Sequence, residues 1–307
     1  MLLITGPNGN IGTELVRKVK QLGDIEYRIA AHTPAKIKHL YGNDTPCVKF
    51  DYADRTTWPA ALQGVTTLFL LFPLPHPRTA KTWMVPFVEA AAQSGIKHII
   101  YCSVPGAEKY SFIPHNAVEN AVRNSGVSYT ILQASYFAQN LCRDITTHSY
   151  DIATRDEIFL PAKKGLTSFI DSRDMAEVVV SIIKNPAPHV GKTHVLTGPE
   201  KLNLYQVANI FTDVTGRKIC YSNPSMPRFL WRLWHRGMSW DVLAFMMIVY
   251  FLTRHGKNAP MTNTLGELLG RSPTTMREFV RDYAQHWQPR QEVLVPQTEN
   301  SHARAVG

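Results

Sequence analysis

The sequence predicts an α/β fold, a doubly wound parallel (Rossmann) sheet with a smaller, mostly helical C-terminal substrate region. Apolar runs of strand length alternate with helical patterns up to about residue 135. Continuous apolar runs are typical of strands that are buried on both faces of a parallel sheet. A glycine-rich turn, Gly6-x-x-Gly9-x-x-Gly12, separates the first strand from the first helix. In such folds this turn holds the phosphates of a dinucleotide.

The alternation defines the elements in order. We predict strands at residues 2–5, 27–33, 47–51, 66–73, 98–104 and 128–133, and helices at 11–21, 81–94 and 116–124. A further helix begins near Asp171 or Ser172, with Asp174 in its first turn. The predicted domains are a Rossmann domain at 1–150 to which 166–200 return, a C-terminal substrate-covering region at 201–287, and a disordered tail at 288–307.

Charge and cysteine content narrow the function classes. The chain has 307 residues, a net charge of +9 and four cysteines. Lys and Arg are scattered, with no run longer than the pair Lys163-Lys164, so we expect no nucleic-acid partner. The cysteines form no CxxC motif and no metal-ligand spacing. This pattern indicates reduced thiols in a cytoplasmic protein without a metal site.

The most apolar stretch, residues 242–252, is short for a membrane span, which needs about 20 residues. We expect a buried or pocket-lining helix there in preference to membrane contact, and no stable membrane insertion. No coiled-coil pattern is present. The oligomeric state is left open, a homodimer included.

The glycine turn is interpreted as a phosphate-binding site. Gly6 permits the tight turn, Gly9 lets the backbone approach a pyrophosphate, and Gly12 allows close packing of the helix. The free N–H groups at the helix N-terminus favour an anion. The alternative is a plain strand–helix loop. The cofactor-binding residues predicted here are Gly6, Asn8, Gly9, Asn10, Ile11 and Gly12.

The end of the second strand predicts which nicotinamide cofactor is bound. An acidic residue there would bind the ribose 2′-hydroxyl of NAD, whereas a basic residue favours the 2′-phosphate of NADP. The sequence "AAHTPAK" contains no acid and supplies His32, Thr33 and Lys36. We therefore expect NADP(H) in preference to NAD(H). The alternative for Lys36 is a solvated lysine at the start of a helix.

In its glycine turn and in several later motifs, the chain resembles the NmrA-like group of atypical short-chain dehydrogenases/reductases. The resemblance runs from Leu2 to about Tyr283, and its markers include "TGPNGNIG", "HIIYCSV" and "SFIDSRDMAEVV". The group contains NAD(P)H-dependent quinone oxidoreductases, related reductases and redox-sensing regulators. The resemblance therefore implies a cofactor-binding Rossmann fold and either a reductase or a regulator.

The resemblance also implies positions around the cofactor and the substrate. It places Asp51 and Tyr52 near the adenine, and Phe72 and Pro73 beside the ribose and nicotinamide. The same comparison brings Cys102 and Ser103 to the nicotinamide and puts Tyr136, Phe137 and Asn140 at the border of the substrate pocket.

The proton donor is the least determined part of the site. Ordinary short-chain dehydrogenases use a Tyr-x-x-x-Lys pair, which is absent from the helix before the sixth strand of this chain. His115 stands where relatives carry Lys or His, and its ordinary pKa near neutrality suits proton donation. Tyr136 is a second candidate donor, and Ser103 a residue that orients a carbonyl. The alternatives are a ribose-binding or backbone-binding His115, an aromatic pocket wall at Tyr136, and a strand-end serine.

Two further patterns leave alternatives open. His115 and Glu119 have a spacing that can serve a metal, but no further ligands are evident, so we expect none. Trp234 and Phe245 belong to an aromatic and methionine-rich segment. This segment either closes over an apolar substrate or packs in the core.

We therefore expect an oxidoreductase that uses NAD(P)H to reduce a planar or apolar small molecule, such as a quinone, enone, imine or carbonyl. The alternatives are an NADP(H)-binding redox sensor without turnover, and a cyclase or isomerase that uses the same pocket.

Overall fold

The predicted parallel sheet is present at the centre of the N-terminal part of the chain. The computed structural model describes residues 1–73, 77–142, 148–256 and 260–289. Seven strands, all paired in parallel, follow the order β10-β6-β5-β4-β1-β2-β3. The strands of the chain are β1 Leu2–Ile4, β2 Tyr27–Ala31, β3 Cys47–Lys49, β4 Thr67–Leu71, β5 His98–Ser103, β6 Ser128–Ala134, β7 Tyr136–Phe137, β8 Glu157–Ile158, β9 Thr167–Ile170, β10 Lys192–Leu196, β11 Lys201–Leu202 and β12 Cys220–Tyr221.

The helices lie between these strands and in the second half of the chain. They are α1 Asn10–Leu22, α2 Pro34–Tyr41, α3 Trp58–Leu62, α4 Pro77–Thr79, α5 Val85–Gln93, α6 Pro114–Asn124, α7 His148–Arg155, α8 Ser172–Lys184, α9 Leu204–Thr215, α10 Met226–His235, α11 Trp240–Arg254, α12 Thr264–Leu269 and α13 Met276–Asp282. A π-helical turn, Ala80–Met84, joins α4 to α5. Helices α2 and α3 are not among the helices predicted from the sequence, although a helix start at Lys36 is one interpretation of that residue.

Each face of the sheet has its own apolar core. Leu2 and Ile4 enter a cluster with residues of α1 and α8, whereas Leu3 enters a second cluster with residues of α3, α5 and α6. Successive side chains of a strand point to opposite faces, so a fully apolar strand is required when helices cover both sides. The doubly wound fold expected from the sequence is confirmed.

The strand order places a crevice at the start of the chain. Strand β1 pairs with β2 on one side and with β4 on the other. The chain therefore winds away from β1 in both directions. In open α/β sheets the ligand binds beyond the carboxyl ends of the strands at this switch point.

The chain divides into two compact units whose boundaries differ from those expected. The first unit comprises Met1–Phe137, Ile170–Thr197 and Thr262–Pro273, where we expected 1–150 with 166–200. Its last segment contains α12, and Arg271 just after that helix binds Asp174 of α8 at 2.8 Å. Leu265 of α12 is also fully buried in the α1–α8 cluster, so tertiary contacts that no local sequence pattern predicts bring this segment back to the first unit.

The second unit comprises Ala138–Phe169, Gly198–Met261 and the chain from Thr274 on. Its core includes Phe229, whose ring lies 5.5 Å from that of Tyr250. The buried carboxylate of Asp151 forms salt bridges with Arg232 and Arg236. The residues from 290 on, which include most of the predicted disordered tail, lie outside the described residues.

The expectation of a buried or pocket-lining helix at residues 242–252 is only half right. Helix α11 buries Leu243, Met246 and Tyr250, but Ile248 and Phe251 are more than half exposed. In the described part of the chain, no helix combines the length and apolar character needed to cross a membrane.

Candidate cofactor-binding site

The glycine turn between β1 and α1 is built by close packing. Gly6 has φ +62°, a left-handed conformation that favours glycine. A Cβ atom on Gly6 would lie 2.6 Å from Leu71 Cδ2, and one on Gly12 would lie 2.0 Å from the carbonyl oxygen of Gly6. Gly12 therefore lets the helix approach the turn itself, where the sequence-based expectation was close packing of the helix on the sheet.

Leu71, the last residue of β4, is held directly against this turn. Its N–H donates to Thr5 Oγ1 at 2.9 Å, and its carbonyl accepts from the Tyr52 hydroxyl at 3.1 Å. A Cβ on Gly9 would lie 3.0 Å from Leu71 Cδ2. The Leu71 side chain thus packs against Gly6 and Gly9. The Leu71 backbone cannot move without breaking two hydrogen bonds.

The N-terminus of α1 is free to receive an anion. Gly9 precedes the helix in an extended conformation, no side chain caps it, and the first turn contains no acidic residue. The first N–H groups of a helix have no intrahelical acceptor and carry the positive end of its dipole. They belong here to Asn10, Ile11 and Gly12, and Asn8 is exposed in the turn before them. The Ile11 side chain packs in the core, so only its backbone can face a ligand.

A cluster of polar side chains lies at the ends of β2 and β3. His32 and Lys36 are exposed, and Thr33 precedes the first residue of α2. His32 Nε2 lies 3.5 Å from Asp51 Oδ2. The strand pairing thus brings one acid beside the basic residues, although none is adjacent in sequence.

Tyr52 and Cys102 are core residues in this structure. The Tyr52 ring packs 4.7 Å from Phe50 and 5.3 Å from Phe87, and burial raises the pKa of its hydroxyl. Cys102 is buried in the α1–α8 cluster, where desolvation raises the pKa of its thiol to about 12. Tyr52 therefore acts on the turn through Leu71, and the Cys102 side chain faces apolar neighbours.

Ser103 and Glu119 form a buried polar network with side chains of β6 and α6. Ser103 Oγ donates to Glu119 Oε1 at 2.5 Å, and Gln133 Nε2 donates to the same oxygen at 2.9 Å. Arg123 binds the second carboxylate oxygen at 2.8 Å. A serine hydroxyl has one proton to donate, and Ser103 gives it to Glu119. In this arrangement the Ser103 hydroxyl is already bonded to Glu119, and its role in orienting a substrate carbonyl stays a prediction.

His115 and Tyr101 form a second buried pair. Tyr101 Oη and His115 Nδ1 are 2.7 Å apart, and the Phe72 ring lies 4.7 Å from the imidazole. Burial lowers the pKa of His115 to about 3 and raises that of Tyr101 well above its usual value. Both groups are therefore neutral near pH 7, and the premise that His115 has a near-neutral pKa suited to proton donation is wrong.

His115 and Glu119 do not converge on a common point as metal ligands would. Their polar atoms bind Tyr101 on one side and Ser103 and Arg123 on the other. Among the described residues, no group of three or more His, Cys, Asp or Glu side chains is placed to hold a metal ion.

The residues expected around the substrate fall in different environments. Pro73 is exposed after β4 and Tyr136 is half-buried, while Phe137 packs against the α1–α8 core cluster. Asn140 is half-buried in a 3₁₀ turn of the second unit. Trp234 and Phe245, also of that unit, are 50% and 36% exposed. Neither aromatic side chain is enclosed, so the structure does not place them in a closed pocket.

Tyr101 and Gln133 are site residues that the sequence analysis missed. Both alternate with apolar residues of the other face, Tyr101 next to Ile100 and Gln133 next to Leu132. A period-of-two pattern places Tyr101, Ser103 and Gln133 on the face covered by α6. Alternate residues of a strand share a face, and residues four apart share a face of a helix. These two rules applied to β5, β6 and α6 would have predicted that the polar residues Tyr101, Ser103, Gln133, His115 and Glu119 lie together.

Replacing Gly12 with Ala tests the glycine turn. The new methyl group cannot lie 2.0 Å from the Gly6 oxygen, so the turn must open. We expect at least about a tenfold loss of NADPH affinity, measured by fluorescence titration. Gly266→Ala is the matched control, because its Cβ meets neighbours only at 3.5 Å, an ordinary contact. Equal affinity in the Gly12→Ala and Gly266→Ala proteins would contradict a phosphate-binding role for the turn.

Comparison with known proteins agrees with this geometry. The profile of the NmrA-like family matches residues 1–279. The prestalk A differentiation protein A of Dictyostelium discoideum is 25% identical over 283 residues, covering 92% of this chain and 91% of that protein. The NAD(P)H azoreductase of Xenophilus azovorans is 27% identical over 290 residues, covering 92% and 98%.

The three-dimensional structure of the chain is also similar to a solved structure. The NADPH-dependent quinone oxidoreductase QOR2 of Escherichia coli, complexed with NADPH, is 25% identical with a TM-score of 0.77. The alignment covers 92% of this chain and 99% of that one. The resemblance inferred from the motifs is confirmed, and the chain belongs to the NmrA-like family.

Proposed function

We propose that this chain is an oxidoreductase that uses NAD(P)H to reduce a planar, apolar small molecule, with NADP(H) preferred. The observation that carries the proposal is the glycine turn, packed against Leu71 at the switch point of the sheet. A Cβ at Gly6 or Gly12 would collide with Leu71 or with the Gly6 carbonyl, so only glycine allows this tight turn directly before the uncapped N-terminus of α1. Such a cradle fits a pyrophosphate bound by backbone N–H groups.

The names of similar proteins support the reaction class. The relative from Xenophilus azovorans is named an NAD(P)H azoreductase, and the Escherichia coli protein is named an NADPH-dependent quinone oxidoreductase. Azo compounds and quinones are both acceptors that a reduced nicotinamide can reduce. The bound cofactor supplies the hydride, and the residues of this chain hold the phosphates and shape the site.

The preference for NADP(H) rests on the end of β2. His32, Thr33 and Lys36 follow β2, the strand end at which this type of fold holds the ribose that carries the 2′-phosphate of NADP. Asp51 contacts His32 at 3.5 Å. Lys36, which is exposed in the first turn of α2, is the residue best placed to distinguish the two cofactors.

The buried polar groups beside Phe72 favour acceptors that need no protein acid. His115 and Tyr101 are neutral and bonded to each other. Reduction of a simple ketone creates an alkoxide, which requires a proton donor in the transition state. Reduction of a quinone creates a delocalised anion that water can protonate. A quinone or another conjugated acceptor therefore suits this site better than an isolated carbonyl.

The direct test combines cofactor titration with a panel of acceptors. We expect NADPH to bind and to be consumed with quinones and azo dyes, followed by the loss of reduced-nicotinamide absorbance, and consumption to be slow with simple ketones. Binding without consumption across the panel would instead favour the redox-sensor function. Absence of binding by both NADPH and NADH would refute the proposal as a whole.

Lys36→Ala tests the cofactor preference. Loss of one charged contact to a 2′-phosphate should weaken NADPH binding about tenfold and leave NADH binding nearly unchanged. Lys38→Ala is the matched control, since Lys38 is exposed on the same helix. Dissociation constants for both cofactors in the three proteins decide the matter. A parallel change for NADPH and NADH would rule out Lys36 as the residue that selects NADP.

The pH profile of quinone reduction tests the role of His115. A folded pKa of about 3 means that His115 is neutral above about pH 5, so its protonation cannot limit the rate between about pH 5.5 and 8. We expect no inflection near pH 6.5 in kcat/KM for the wild-type protein. An inflection there that disappears in His115→Gln would show that His115 donates the proton after all.

A further inference from the structure

Helix α11 of the second unit exposes an apolar face. Leu243, Met246 and Tyr250 are buried on one side, and Ile248 and Phe251 on the other side are 54% and 55% exposed. Surface helices of water-soluble proteins normally turn polar residues outward. Between Trp240 and Leu252 the only charged residue is Asp241, at the first turn. The exposed face of α11 is therefore as apolar as a surface that is normally buried against a partner.

The apolar face continues onto the preceding helix. Trp231 and Trp234 of α10 are 62% and 50% exposed, and the Trp234 ring lies 6.2 Å from that of Trp240. We call this surface the α10–α11 apolar face. It consists of Trp231, Trp234, Trp240, Phe245, Met247, Ile248, Phe251 and Leu252. Single exposed apolar residues are common, but a contiguous patch on this scale marks an interaction site.

A cationic cavity adjoins the C-terminal end of α11. Arg254 and His255 line it together with Lys163, Lys164 and Lys201, and its volume is about 650 Å³. None of its described lining residues is acidic. A Cβ on Gly165 would lie 2.1 Å from the Thr253 carbonyl oxygen, so the loop of the two lysines packs directly on the end of the helix.

The cations of the cavity are not neutralised within the described chain. Lys163, Lys164 and Lys201 are exposed. They form no ion pair with any described residue, and neither does Arg254. Arg254 Nε is buried and has no hydrogen-bond partner among the described residues. The cavity therefore offers positive charge to an anion.

We propose that the second unit docks on an anionic phospholipid surface. The α10–α11 apolar face enters the headgroup region, and the cationic cavity binds a lipid phosphate. Exposed tryptophan and aliphatic residues beside Lys and Arg are the combination that a membrane interface stabilises. A second copy of this chain would bring like charges together at the rim of the face, in a protein whose net charge is +9. Charge complementarity thus selects the lipid over self-association.

The docking is peripheral. Helix α11 has 15 residues, which at about 1.5 Å each cannot span a hydrocarbon core of about 30 Å. The helix instead lies along the interface, with its buried face on the protein. This inference is independent of the proposed reaction, because it rests only on residues of the second unit.

Vesicle cosedimentation tests the proposal. The full-length protein should sediment with vesicles of phosphatidylcholine and phosphatidylglycerol, and high salt should weaken the binding. Ile248→Ser/Phe251→Ser should remove most of it. Lys163→Gln/Lys164→Gln/Lys201→Gln should lower the partition coefficient at least about tenfold, because each lysine contributes attraction to an anionic surface.

Matched variants on the first unit or away from the face act as controls. Leu22→Ser/Val190→Ser removes apolar residues that are 39% and 43% exposed, and Lys97→Gln/Lys192→Gln/Lys218→Gln removes the same charge; both should bind like the wild type. Wild-type protein that stays in the supernatant overturns the proposal. So does binding to pure phosphatidylcholine as strong as to the anionic vesicles. A wild-type dimer that Ile248→Ser/Phe251→Ser dissociates would assign the face to a second copy instead.

Discussion

The packing of Leu71 against the glycine turn is the constraint on which the rest of the first unit depends. The turn must leave β1, reverse and start α1 within a few residues, while β4 ends directly beneath it. Side chains at Gly6 and Gly12 would meet Leu71 and the Gly6 carbonyl at distances that no real contact allows. Thr5 and Tyr52 fix the Leu71 backbone by two hydrogen bonds. The cradle is therefore held by the sheet before any ligand arrives.

The buried polar groups of β5 and β6 lie on one face of the sheet, because successive side chains of a strand point to opposite faces. Tyr101 and Ser103 alternate with the apolar residues of β5, and Gln133 does the same on β6. All three face α6, which supplies His115 and Glu119. Because these groups are buried, each hydrogen bond contributes more than it would in water. Burial also suppresses charge on His115. The same desolvation that stabilises the network thus removes an acid that the sequence alone suggested.

Much of the fold could be predicted, since strand and helix periodicities and the glycine turn are local signals. The positions of β1, β2, β5 and β6 agree with the expectation to within two residues. The return of α12 to the first unit could not be predicted, because it involves long-range contacts, namely the burial of Leu265 in the α1–α8 cluster and the pairing of Arg271 with Asp174. A pKa near neutrality is the ordinary value for an exposed imidazole. Burial lowers the pKa of His115, and only the tertiary structure shows that this residue is buried. Tyr101 could have been found, since strand parity is present in the sequence.

Helix α11 shows why apolar composition alone does not distinguish a core from a docking surface. A helix that is hydrophobic on every side is normally buried on every side. Here Leu243, Met246 and Tyr250 are buried on one side of the helix, and Ile248 and Phe251 on the other side are exposed. Exposure of the remaining face costs free energy in proportion to its apolar area. The cations of the adjoining cavity raise a cost of their own, because they lie close together without acidic partners. An anionic phospholipid surface would bury the α10–α11 apolar face and neutralise the cations of the cavity at the same time. A single partner therefore explains both features.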